Sequence, residues 1–68
     1  MILEETINKA SQILKNNNIH SHELDAQIIL SEIMGVKKEY LIINNKTIVS
    51  KKIIEKYDIA IKRRIKNT

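Results

Sequence analysis

Apolar residues recur along the first sixteen positions with the period of an α-helix. Glutamates in the first turn and Lys15 near the end have the signs that the helix dipole favours. The pattern predicts a helix over about 2–16, ended by three consecutive asparagines, a residue type that tolerates left-handed turns. The i, i+4, i+7, i+11 spacing places four side chains on one narrow stripe: Leu3, Ile7, Ala10 and Leu14.

A second helix is predicted over 22–34, in the stretch NIHSHELDAQIILSEIMG. Ser21 occupies the position of an N-cap, and Gly35, the only glycine, occupies the C′ position, where a positive φ is common. Leu24 and Ile28 lie on the side opposite to the main apolar face. A helix that is apolar on two sides is expected to be central, with neighbours packed on both. The main face consists of Ala26, Ile29, Leu30, Ile33 and Met34.

A short and a long helix follow. The short helix, over about 37–43, is expected to bury Tyr40, Leu41 and Ile43. Beyond an Asn-Asn turn, Ser50 is a second N-cap candidate, and Val49 and Ile54 are placed for a hydrophobic staple. The long helix is predicted over 51–66, with a stripe of Ile53, Ile54, Tyr57, Ala60, Ile61 and Ile65.

These elements predict an all-α fold, a small bundle of three long helices and one short helix that forms a single domain over 1–68. A strand alternative exists for YLII and TIVS. Both segments are too short to form a stable two-stranded sheet alone.

Composition excludes several classes of protein. With 68 residues and no cysteine, the chain has neither disulfides nor thiolate metal sites. No segment approaches the roughly 18 apolar residues of a membrane helix, and the acidic N-terminus is unlike a signal peptide. We therefore expect a cytoplasmic protein without membrane contact.

Charge is divided unevenly along the chain. Residues 1–36 carry two basic and five acidic side chains, a net charge of −3, whereas residues 37–68 carry ten basic and three acidic side chains, a net charge of +7. The second half is suited to an acidic partner or to nucleic acid. The simpler interpretation is a solvated lysine face that serves solubility.

Catalytic and metal chemistry finds little support. HSHELD, residues 20–25, does not have the HExxH spacing that places two histidines one helical turn apart, and no third histidine completes a site. One glycine cannot provide a phosphate-binding loop. A nucleophile set would need Ser21 or Ser50 beside a histidine, and nothing in the pattern indicates that. The prediction is a chain without catalytic, cofactor-binding or metal-binding residues.

Two charged residues lie where apolar contacts are expected. Asp25 is at the margin of the second helix's apolar face, and Arg64 falls within the stripe of the last helix. Lone charges there would be costly, so we predict that Arg64 and Asp25 form an ion pair between the two helices. The competing interpretation is that Asp25 serves only the helix dipole while Arg64 extends to water.

The order and spacing of these elements resemble the N-terminal domain of the HemK/PrmC family. The similarity lies in LDAQIILSEIMGVKKEYLI, residues 24–42, and in the ending IKRRIKNT, and it covers nearly the whole chain. The family comprises S-adenosylmethionine-dependent methyltransferases that modify the glutamine of the Gly-Gly-Gln motif in peptide-chain release factors. Its catalytic domain carries a glycine-rich cofactor loop and an Asn-Pro-Pro-Tyr motif, neither of which is present here.

The resemblance therefore implies a domain that recognises the release factor for a catalytic domain outside this chain. Family members continue after the arginine pair into a proline-containing segment, so we expect an excised domain or a truncated product. S-adenosylmethionine is implied for the missing domain only, and the implied partners are the release factor and that domain. Charge and misplaced apolarity suggest four contact residues: Lys37, Lys38, Ile59 and Arg63. The alternative function is a small basic nucleic-acid-binding bundle.

Overall fold

The computed structural model describes residues 1–66, which form four helices. Their bounds are Leu3–Asn16 for α1, His22–Met34 for α2, Lys38–Ile43 for α3 and Lys51–Lys66 for α4. The predicted all-α fold is confirmed, and each helix begins and ends within one residue of its predicted limits. Asn67 and Thr68, the end of the predicted domain and of the IKRRIKNT segment, lie outside the described residues. None of these four helices has the length and apolarity to span a bilayer.

Like α1, α2 is a central helix of the bundle. It packs against each of the other three, and Ala26 and Leu30 on its inner face are fully buried. Leu3 and Leu14 from α1 and Leu41 from α3 complete the tightest part of the core. The predicted central position of α2 is therefore correct.

The prediction that α2 is covered on both sides is wrong. Leu24 and Ile28 are exposed, because the neighbouring helices cover one broad side of α2 and leave the other to solvent. α3 also buries less than predicted. Tyr40 is 41% exposed and Ile43 is 79% exposed, because a six-residue helix presents little more than one side chain, Leu41, to the core.

The N-terminus of α1 is capped by a distant loop. Its first backbone N–H groups have no side-chain cap, and those of Leu3 and Glu4 donate instead to the carbonyls of Thr47 (2.8 Å) and Asn45 (2.9 Å). An isolated antiparallel bridge joins Ile2 to Ile48. Residues 1–66 contain no strand, so YLII and TIVS do not form the alternative sheet, and Ile48 of TIVS makes only this isolated bridge.

The residues predicted to begin and end helices largely adopt the expected conformations. Asn18 has φ 65° and Gly35 has φ 68°, so both adopt the left-handed conformation that ends a helix. Ser50 caps α4, since the backbone N–H of Ile53 donates to its Oγ (3.3 Å). Val49 beside it is buried, and Ile54 packs against the core, as a hydrophobic staple requires.

Ser21 precedes α2 but does not cap it. Its φ of −85° and ψ of 28° are not the extended conformation that aims an N-cap hydroxyl at the helix. The Ser21 Oγ donates to Asp25 Oδ2 instead, at 3.0 Å. The predicted N-cap is therefore wrong, because the Ser21 side chain makes no capping hydrogen bond to the helix backbone. The predicted start of α2 at the next residue is nevertheless correct.

Candidate interaction surfaces

The start of α2 is a structural junction. His22 is half-buried, and its Nδ1 lies 2.7 Å from the hydroxyl oxygen of Ser11, a buried residue of α1. The contact is a polar link between the two helices. His20, by contrast, is exposed. Among residues 1–66 no group of three or more His, Cys, Asp or Glu side chains is arranged to hold a metal ion.

Arg64 and Asp25 meet at the boundary between α4 and α2. The Arg64 Nε donates to Asp25 Oδ2 at 3.0 Å, and the same oxygen accepts the Ser21 hydroxyl. The Asp25 side chain is 19% exposed and that of Arg64 36%, so the pair is only partly screened by water. The pair fixes the C-terminal part of α4 against the first turns of α2.

Tyr57 provides a second polar connection between the same helices. Its hydroxyl donates to the backbone carbonyl of Ala26 at 2.7 Å, and its ring is buried. Burial in this apolar contact raises the pKa of the Tyr57 phenol well above its ordinary value, because the charged phenolate would lose its hydration. Tyr57 therefore stays a neutral hydrogen-bond donor.

A groove of about 360 Å³ runs between α1 and α4. Its floor is mainly apolar, with Ala10 and Ile13 from one helix and Ile54 and Ile61 from the other. Acidic side chains lie on the α4 side: Asp58, which pairs with Lys62 at 3.1 Å, and Glu55. Thr6 and Lys9 of α1 complete the polar part of its lining, which contains no histidine.

The four residues predicted to contact a partner lie in two places. Lys37 and Lys38 are adjacent and exposed at the start of α3. Ile59 and Arg63 are exposed on the side of α4 that faces away from the bundle. The structure therefore brings together Ile59 with Arg63, and Lys37 with Lys38, as two separate surfaces.

Three further exposed isoleucines were not predicted. Ile43 is predicted to be buried but is largely exposed, together with Ile42, and Ile48 in the following loop is 77% exposed. The signal available in the sequence is the apolar run itself, which a six-residue helix cannot bury on all sides.

Comparison with known protein families gives a match over most of the chain. The family model of the PrmC N-terminal domain matches residues 5–68. No curated protein matches the chain, and no solved structure does.

Proposed function

The chain belongs to the PrmC N-terminal domain family, and on this premise we propose that it is the recognition domain of a protein-glutamine N5-methyltransferase. The enzyme would use S-adenosylmethionine to methylate the glutamine of the Gly-Gly-Gln motif of a peptide-chain release factor in the cytoplasm. The observation that carries the proposal is the family match over residues 5–68.

The division of roles follows from the residues that the chain contains. One glycine and no Asn-Pro-Pro-Tyr motif leave no group for cofactor or amide binding, so both tasks belong to a catalytic domain outside this chain. The exposed cations and apolar side chains of α3 and α4 are suited to binding a protein surface.

A recognition domain accelerates methylation by raising the effective concentration of the substrate. Once the domain holds one part of the release factor, the encounter between the glutamine amide and the catalytic domain becomes intramolecular. Orientation contributes further, because a rigidly held substrate presents its amide in a reactive position. Rigidity is a property that the Asp25–Arg64 and Tyr57–Ala26 contacts confer on the bundle.

Binding measurements test the proposal. The purified chain is titrated with the release factor encoded by the same genome, and separately with a generic single-stranded RNA, at several salt concentrations. We expect saturable binding to the release factor and only weak, non-saturating binding to RNA. The charge of α4 favours nucleic-acid binding as a second candidate, and RNA binding that falls steeply with log salt, without release-factor binding, would establish that function instead.

A further inference from the structure

The outward side of α4 carries one straight line of side chains. We call it the outer stripe: Lys52, Lys56, Ile59, Arg63 and Lys66. All five side chains are exposed. Their 4-3-4-3 spacing keeps all five on one side of α4, in a row along which a second helix can lie. At 1.5 Å per residue the stripe is about 21 Å long, a large part of the 29 Å length of the domain.

The cations of the outer stripe have no carboxylate partner among residues 1–66. The three ion pairs of the described structure use Lys46, Lys62 and Arg64, none of which belongs to the stripe. The acidic residues of α4 are placed elsewhere, since Glu55 and Asp58 line the groove toward α1. The stripe is therefore an uncompensated row of positive charge.

The first two cations of the outer stripe weaken the start of α4. Lys52 lies in the first turn of α4, which contains no acidic residue, so its charge opposes the helix dipole. Lys52 and Lys56 are four residues apart, and like charges at that spacing repel across one helical turn. In the last turn Arg63 and Lys66 have the sign that the dipole favours, so the stripe destabilises the start of α4 and stabilises its end.

Ile59 distinguishes a protein partner from a nucleic acid. It is 55% exposed at the centre of the stripe, between two cations on each side. A surface that binds single-stranded nucleic acid uses aromatic side chains to stack bases, and the stripe has none, since Tyr57 is buried on the opposite side of α4. A central apolar residue with a charged rim is the arrangement of a protein interface.

We infer that the outer stripe of α4 binds an acidic helix of the protein partner, with Ile59 buried at the centre of the contact and the four cations facing carboxylates around it. The inference rests on the proposed function, which makes the release factor the partner. It selects the outer stripe over the other exposed surface, formed by Lys37, Lys38 and the α3 isoleucines, where the cations are adjacent and follow no helical line.

Matched variants of the chain test the inference by association and dissociation rates with the release factor. Ile59→Ser is paired with Ile43→Ser, which removes an even more exposed isoleucine from the other surface. Lys52→Glu/Lys56→Glu is paired with Lys37→Glu/Lys38→Glu, which changes the net charge equally. Circular dichroism establishes that each variant is folded, as expected for exposed positions.

The two stripe variants are expected to act on different rates. Ile59→Ser should accelerate dissociation by about fivefold or more, as for a central apolar contact. The lysine variant should slow association by about tenfold at low salt and reduce the salt dependence, as for rim charges. Both control variants should remain within about twofold of the unaltered chain, since they leave the stripe intact.

Three results would overturn the inference. If the stripe variants bind like the unaltered chain, or the α3 variants lose binding instead, the outer stripe is not the contact, while the proposed function stands. If the unaltered chain does not bind the release factor, the proposed function fails and the inference fails with it. If generic RNA displaces the release factor from the stripe, the surface recognises phosphate and not an acidic helix.

Discussion

The two sides of α4 differ in how their side chains are partnered. On the inner side, Ile61 is buried, Tyr57 donates to Ala26 of α2, and Arg64 is held by Asp25. On the outer side, the residues of the outer stripe are exposed, and its cations lack carboxylate partners among residues 1–66. One helix thus has a buried, partnered side and an exposed side, separated by the rotation of about 100° per residue, and substitutions on its two sides should have different consequences.

The largest difference is expected between two isoleucines of α4. Ile61→Ala should lower the free energy of unfolding by about 2–5 kcal/mol, because it leaves a cavity in the core. Ile61 is 2% exposed, whereas Ile59 is on the solvent side. Ile59→Ala should change the free energy by less than about 0.5 kcal/mol. Urea unfolding followed by circular dichroism measures both, and equal effects would refute the division of α4 into two sides.

Tyr57→Phe removes one buried hydrogen bond and should cost about 1 kcal/mol. Tyr40→Phe is the matched control, since Tyr40 is exposed and its loss should have almost no effect. Alkaline pH acts on the same hydroxyl. Because the folded-state pKa of Tyr57 is raised, the stability that it contributes is complete below the ordinary tyrosine pKa of about 10 and declines as the pH rises above it.

Thermal unfolding of the unaltered chain and of Tyr57→Phe between pH 8 and pH 12 therefore measures what ionisation of Tyr57 contributes to the loss of stability. The unaltered chain should lose stability above pH 10, and Tyr57→Phe should lose less over the same range because it has no phenol to ionise. A decline of the same size in Tyr57→Phe would mean that other groups cause it.

Asp25→Asn should lower stability by about 1 kcal/mol, because it weakens a partly buried, charge-assisted hydrogen bond with Arg64. The control is Lys46→Gln, which breaks the more exposed Lys46–Glu4 pair (3.2 Å) and should cost only a few tenths of a kcal/mol. A double-mutant cycle with Arg64→Gln isolates the pair from the other contacts of Arg64. A coupling energy of zero would show that the contact does not stabilise the bundle.

The smallest effect has the opposite sign. Lys52→Glu should raise stability by a few tenths of a kcal/mol, because an acidic residue in the first turn suits the helix dipole and removes the repulsion with Lys56. If the outer stripe is a binding surface, the same substitution weakens release-factor binding. A variant that is less stable, or one that is more stable and binds unchanged, would contradict this trade-off.

The helices were predictable because their signals are local. α1 and α4 have strong apolar periodicity, and Gly35 and the asparagine run mark the ends of α2 and α1 through residue types suited to positive φ. Arg64 could be matched to Asp25 because a charge within an apolar stripe requires a partner. The core was harder to predict where a helix is short, as the exposure of Tyr40 and Ile43 shows.

Apart from the Arg64–Asp25 pair, polar contacts between distant segments were not predictable. The capping of α1 by Thr47 and Asn45, and the approach of His22 to Ser11, depend on which loops and helix ends meet in three dimensions. No residue type or spacing in the sequence indicates those contacts. Charge and misplaced apolarity in the sequence suggest Ile59 and Arg63 as partner contacts, but the complete outer stripe required knowing which side of α4 the bundle covers.

If the outer side of α4 is the recognition surface, a chemical-shift map of the titrated chain should locate the contact there. The isotopically labelled chain is titrated with the unlabelled release factor, and backbone amide signals are followed residue by residue. The expected result is perturbation or broadening concentrated along the outer stripe from Lys52 to Lys66, with little change at Lys37 and Lys38. Perturbations confined to α3 and the loop after it, or none at saturating release factor, would contradict the claim.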